Sequence, residues 1–207
     1  MRNLPNILSM SRLVATVIVF ILVLVNQPWA FLVALVVFFF ASITDYLDGY
    51  LARRFKVVSS LGVFLDLTAD KVFVTSILIA TVQIGLVPAW IVATIITREF
   101  LVTGLRSMAS ARGRVIPAGI WGKQKTFVTL LAVGGLLLAK GLGAHQLALF
   151  PPMLTLSNQT MSGSDILFLI ASVLVILAMI WTILSGIEYI ISARWLFQQD
   201  KQEQTKL

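Results

Sequence analysis

Three stretches of the chain carry no charged side chain: Leu13 to Thr44, Val72 to Thr97 and Ile166 to Ile187. A helix needs about 20 apolar residues to cross the hydrocarbon of a bilayer, and each stretch meets that length. The first is too long for one such helix and is interrupted by Asn26-Gln27-Pro28, a turn signal. Ser59-Ser60 offers an N-cap, Gly85 to Pro88 marks another turn, and Ser162-Gly163-Ser164-Asp165 offers a second cap. The pattern predicts helices over about 6–26, 29–53, 61–83, 87–110, 120–142 and 165–194. The expected fold is all-α: one polytopic membrane domain, residues 1–207, with six transmembrane helices and a short polar tail from about 198.

Composition strengthens this reading. The chain is 58% hydrophobic and only 12% charged, with mean hydropathy +0.95, outside the range of a soluble domain of this length. Cysteine is absent, which excludes a disulfide framework and thiol chemistry. No cleavable-signal pattern is expected, because the first apolar run leads straight into further spans. The net charge of +7 does not require nucleic acid, since in a membrane protein the placement of charge matters more than its sum. Arg2 and Arg12 precede the first apolar run, and Arg53, Arg54 and Lys56 fill the second connection. Arg106, Arg112, Arg114, Lys123 and Lys125 surround the fourth, while Arg194, Lys201 and Lys206 finish the chain. With six spans all of these fall on one side, and the other side receives only Lys140. The positive-inside rule then puts both termini in the cytoplasm, as expected for a multi-pass protein of a bacterial cytoplasmic membrane.

Against this background the segment Asp45 to Asp70 stands out, because it holds four of the nine acidic residues. Asp48 lies six residues before Arg54, and Asp66 six after Ser60. An antiparallel helix pair therefore brings Asp48 opposite Asp66 about 9 Å in, and Asp45 opposite Asp70 about 14 Å in. The spacings i,i+3 and i,i+4 keep each pair on one face. Gly49, Ala52 and Gly62 share those faces, leaving room for a ligand or for close packing. Even one Asp at mid-span costs about 2.5–3.5 kcal/mol on the insertion scale. Divalent cations relieve that repulsion, and an oxygen-only donor set suits Mg²⁺, Mn²⁺ or Ca²⁺ rather than zinc or copper. A pair of metals about 3.5–4 Å apart is the usual clamp for displacement at phosphorus. The plain alternative is helix-end carboxylates paired with Arg53, Arg54, Lys56 and Lys71.

The series Asp45-x2-Asp48-Gly49-x2-Ala52-Arg53-x8-Gly62-x3-Asp66-x3-Asp70 resembles the full signature of the CDP-alcohol phosphotransferases. The resemblance implies six transmembrane helices, a homodimer, and an active site between helices 2 and 3 at the cytoplasmic side. It implies transfer of a phosphatidyl or similar group from a CDP-linked donor to an alcohol, with release of CMP. It further implies that Asp45, Asp48, Asp66 and Asp70 hold two divalent cations, Mg²⁺ or Mn²⁺, and that Asp70 takes the acceptor's proton. The CDP moiety would meet Asn6, Asp48, Gly49, Ala52, Arg53 and Gly62. Three more stretches resemble the branch whose acceptor is glycerol 3-phosphate: Leu4 to Arg12, Thr97 to Arg106, and Gly122 to Thr126. Within them Arg98, Arg106, Lys123 and Lys125 are the candidates for the acceptor phosphate. An arginine as deep as Arg98, about 16 Å below the end of its helix, is a functional candidate by default. The simpler alternative is a Glu99–Arg98 or Glu99–Arg106 pair that only steadies the bundle. A short stretch Ser185 to Tyr189 also resembles that branch, with Glu188 expected in the interface. Leu67 departs from the proline that many relatives carry there.

The expected donor is thus CDP-diacylglycerol and the acceptor glycerol 3-phosphate, with membrane lipids as surroundings and no nucleic acid. Another acceptor in the same family (inositol phosphate, serine or phosphatidylglycerol) is the nearest alternative. From a different class, a divalent-cation transporter also uses intramembrane carboxylates. It would need polar residues along the full depth, whereas the outer halves of the second and third spans are apolar. A membrane scaffold is the third alternative.

Overall fold

Six helices occur among the described residues: α1 (Leu4–Val25), α2 (Pro28–Phe55), α3 (Ser60–Gln83), α4 (Ala89–Ala111), α5 (Ile120–Gly141) and α6 (Gly163–Ser192). The computed structural model describes the backbone at residues 4–55, 60–114, 120–145 and 162–194, and side chains at 9–44, 68–114, 124–145 and 162–194. No strand occurs among the described residues.

Several helix ends have a local cause. Asn26 takes a left-handed φ of 53°, and Pro28 then opens α2 at a position where its missing N–H leaves nothing unsatisfied. After α3, Gly85, with a φ of 73°, turns the Leu86 N–H back to the Thr81 carbonyl at 2.8 Å. This six-residue closure satisfies carbonyls that the helix end would otherwise strand. α4 and α5 close the same way, through Arg114 N–H to the Ala109 carbonyl at 3.0 Å and Ala144 N–H to the Ala139 carbonyl at 2.9 Å. At the start of α6 the Asp165 carboxylate accepts the Ser162 N–H at 3.0 Å and the His145 N–H at 2.8 Å. The reach back to Ser162 is half of a capping box, and the bond to His145 ties the end of α5's turn to the start of α6.

The chain forms two compact units, Met1–Pro88 with Val133–Ser172, and Ala89–Ala132 with Val173–Leu207. In the first, α1 packs along both α2 and α3, around a core that includes Val19, Val23, Phe31, Phe38, Phe73 and Ile77. α5 and α6 approach closely there, since a Cβ on Gly135 would lie 3.0 Å from the Ala171 Cβ. In the second, Val102 and Ala109 of α4 pack against Tyr189 and Ala193.

Large apolar side chains also face outward: Phe39, Phe40, Phe100 and Phe127 are each more than half exposed. α6 is long and apolar enough to cross a membrane. The apolar stretches Ser9–Val25 and Pro28–Thr44 are shorter.

Candidate active site

Asp45, Asp48, Gly49, Ala52 and Arg53 fall on the last turns of α2, and Gly62, Asp66 and Asp70 on the first half of α3. Of these, Asp70 is half-buried. The side chains of the other seven, like those of Asn6 and Lys123, lie outside the described residues. The described part of the two helices still carries information about their faces. Phe38 and Phe73 stack, with ring centroids 5.5 Å apart and planes at 15°, so this is a side on which α2 and α3 meet. Position 45 is seven residues beyond Phe38, and position 66 seven before Phe73. Seven residues fall about 20° short of two full turns. The helical register thus returns to the side of the stack at positions 45 and 66, about 10 Å along each helix toward the α2–α3 connection.

The donor set fits a hard divalent cation. The four aspartates supply oxygen alone, the chain has no cysteine, and the single histidine, His145, sits against Asp165 instead, Nδ1 to Oδ1 3.4 Å. Oxygen ligands without imidazole or thiolate select magnesium-like ions. Beside the end of this region a cavity of about 280 Å³ opens between α1 and α2, lined among others by Ser11, Arg12, Phe40, Ala41 and Thr44. Arg12, in the third turn of α1, is only 2% exposed.

The second group of predicted residues lies on α4 and α5. Arg98 is 8% exposed. Its Nη1 donates to Glu99 Oε2 at 3.1 Å, and its Nη2 donates to Ser185 Oγ on α6. Lys125, also 8% exposed, pairs with the same Glu99 oxygen from α5. Glu99 therefore links Arg98 to Lys125, a cross-helix pairing that spacing along α4 alone does not suggest. Arg106 is exposed and stacks over the Tyr189 ring, 5.6 Å from the centroid, and Arg98 lies at the same distance from that ring. On the neighbouring surface Trp181 Nε1 donates to Gln124 Oε1 at 3.1 Å.

The arrangement is rich in cations and leaves donor capacity over. Arg98 Nε is buried without a hydrogen-bond partner, an orphan that costs about 1–3 kcal/mol of desolvation. Both terminal nitrogens of Arg98 are engaged, by Glu99 and Ser185, and a guanidinium held in this way suits recognition of an oxyanion such as phosphate. The resemblance of Ser185 to Tyr189 to the same branch marks this stretch in the sequence, but no spacing there names Ser185 and Tyr189 as contacts of these arginines. Glu188 is half-buried, with its Oε2 enclosed and without a hydrogen-bond partner.

A model of the CDP-alcohol phosphatidyltransferase family matches residues 2–192. The chain belongs to the CDP-alcohol phosphatidyltransferase family. Among its curated relatives is a CDP-diacylglycerol–glycerol-3-phosphate 3-phosphatidyltransferase of Bacillus subtilis, 41% identical over 150 residues, covering 67% of this chain and 78% of that protein. A protein of the same name from Rickettsia bellii is 31% identical over 189 residues, covering 90% of this chain and 93% of its own. A third, from Pseudomonas fluorescens, is 37% identical over 139 residues, covering 63% and 70%. The family match spans both the aspartate-bearing helices and the arginine-bearing one, and members of the CDP-alcohol phosphatidyltransferase family generally use divalent cations.

Proposed function

We propose that this CDP-alcohol phosphatidyltransferase moves the phosphatidyl group of CDP-diacylglycerol to sn-glycerol 3-phosphate, forming phosphatidylglycerophosphate and CMP. The observation that carries this reading is the complete aspartate signature on α2 and α3, in a chain whose relatives bear that activity in their names over up to 90% of its length.

The chemistry is a direct displacement. The free hydroxyl of the acceptor attacks the phosphorus that carries diacylglycerol. The bond from that phosphorus to the CMP oxygen breaks, and the hydroxyl proton passes to Asp70. A positioned carboxylate contributes about 10²–10⁴-fold as general base. Asp45, Asp48, Asp66 and Asp70 would hold two divalent cations, Mg²⁺ or Mn²⁺. The chemistry such ions supply is neutralisation of the diphosphate and of the departing oxygen. Gly49, Ala52 and Gly62 leave room for the cytidine nucleotide, with Asn6, Asp48 and Arg53 as its polar contacts. Arg98, Arg106, Lys123 and Lys125 receive the acceptor phosphate, supported by the gathering of Arg98 and Arg106 at the Tyr189 ring and by the Glu99 link between Arg98 and Lys125.

Six membrane spans with both termini in the cytoplasm are part of the proposal. They are supported by six helices of 22 to 30 residues and by outward-facing aromatics that a water-soluble surface does not tolerate in such number. A homodimer in a bacterial cytoplasmic membrane completes the reading. The test is to supply purified protein with CDP-diacylglycerol, Mg²⁺ or Mn²⁺, and each candidate alcohol while CMP is measured. Release with glycerol 3-phosphate is expected. Release only with inositol phosphate, serine or phosphatidylglycerol reassigns the acceptor.

A further inference from the structure

The geometry points to α6 as a seat that positions the two α4 arginines: Ser185, Gly186 and Tyr189 are positioning residues for Arg98 and Arg106, and through them for the phosphate of the acceptor. This rests on the acceptor assignment proposed above.

Four observations within the α4–α6 pair converge. Ser185, fully buried, accepts a hydrogen bond from Arg98 Nη2. Gly186 makes room for the stem of the same arginine, since a Cβ there would lie 3.1 Å from Arg98 Cγ. Tyr189, 4% exposed, presents its ring to both guanidiniums, each 5.6 Å from the centroid. Arg98 also donates through Nη1 to Glu99 on its own helix, so the guanidinium is fixed from α4 and α6 together.

The spacing explains why one ring serves two cations. Arg98 and Arg106 are eight residues apart, about 12 Å along α4, and a ring on the neighbouring helix meets both guanidiniums. The two guanidinium carbons are thereby held no farther apart than twice the centroid distance. Aromatic faces attract cations at this range, while the two arginines repel each other. An anion that bonds to both removes the repulsion, and a phosphate has oxygens enough for two guanidiniums. Ser185, Gly186 and Tyr189 fall at i, i+1 and i+4, on the side of α6 turned to α4. A packing role alone accounts for Tyr189 beside Val102 and Ala109. It does not account for a hydroxyl and a missing side chain placed at the same arginine.

The experiment uses the purified full-length enzyme, with CMP release measured against each substrate in turn and inorganic phosphate as competing probe. Tyr189→Leu removes the ring and is expected to raise KM for glycerol 3-phosphate about tenfold, weaken inhibition by phosphate in parallel, and leave KM for CDP-diacylglycerol within about twofold. Tyr189→Phe keeps the ring and should stay near wild type. Ser185→Ala and Gly186→Ala should show the same selective rise in smaller measure, and they decide the matter if Tyr189→Leu does not fold. Variants that change both KM values equally, change only kcat, or keep KM for glycerol 3-phosphate overturn the inference. A wild-type enzyme that ignores glycerol 3-phosphate overturns the acceptor assignment itself, and the seat with it.

Discussion

An alcohol hydroxyl holds its proton too tightly at neutral pH to attack phosphorus unaided, and Asp70, half-buried on α3, is the carboxylate proposed to take it. Asp70→Asn keeps size and most polarity but cannot accept that proton. The expected outcome is a fall in kcat of about 10²–10⁴-fold, with CDP-diacylglycerol binding preserved in a direct binding assay. Near-normal turnover removes Asp70 from the role. Asp165 makes a different kind of contribution: its carboxylate accepts two backbone N–H groups. Asp165→Ala strands both and should lower stability by about 1–2 kcal/mol, read as a lower unfolding temperature in detergent, with kcat unchanged at low temperature. The aspartate signature was legible in the sequence because its spacing is local and repeats a helical face. The arginine contacts were less so. Arg98 meets Ser185 across 87 residues and Lys125 meets Glu99 across 26, and no period along one helix encodes which neighbour it faces.

Helix ends follow from single residues, which is why the predicted and observed bounds agree within about two residues. Asn26 and Pro28 separate α1 from α2, and Gly85, Gly113 and Gly143 each take the left-handed turn that closes a helix. The pairing of helices is written more faintly, in small residues whose partner is not named by the sequence. Gly134 and Gly135 are adjacent on α5 but differ in what surrounds them. A Cβ on Gly134 would be 3.7 Å from a Phe38 ring carbon, ordinary contact, whereas on Gly135 it would be 3.0 Å from the Ala171 Cβ. Gly134→Ala should therefore be neutral or gain up to about 1 kcal/mol from helix propensity. Gly135→Val should lose about 1–3 kcal/mol through overpacking. Thermal unfolding of the two variants side by side checks the difference, and equal behaviour contradicts the close α5–α6 approach.

For the whole molecule, charge placement predicted an orientation that helix geometry alone does not supply. The chain has no cysteine, so a single introduced cysteine reports its own side without background. Gln83→Cys at the end of α3 should react with an impermeant maleimide in intact cells, and Ser110→Cys at the end of α4 should react only after the membrane is opened. The reverse pattern inverts the proposed topology. The central claim is that the acidic residues of α2 and α3 together hold the divalent ions on which transfer depends. It is tested most directly by titrating purified wild-type, Asp45→Asn and Asp66→Asn proteins with Mn²⁺ in the presence of CDP-diacylglycerol, while the CMP released from that donor on addition of glycerol 3-phosphate is followed. The account predicts about two bound Mn²⁺ per wild-type chain, fewer in each variant, and CMP release that vanishes with the metal. Wild-type turnover that survives chelation, or variants that bind Mn²⁺ and release CMP as the wild type does, contradicts it.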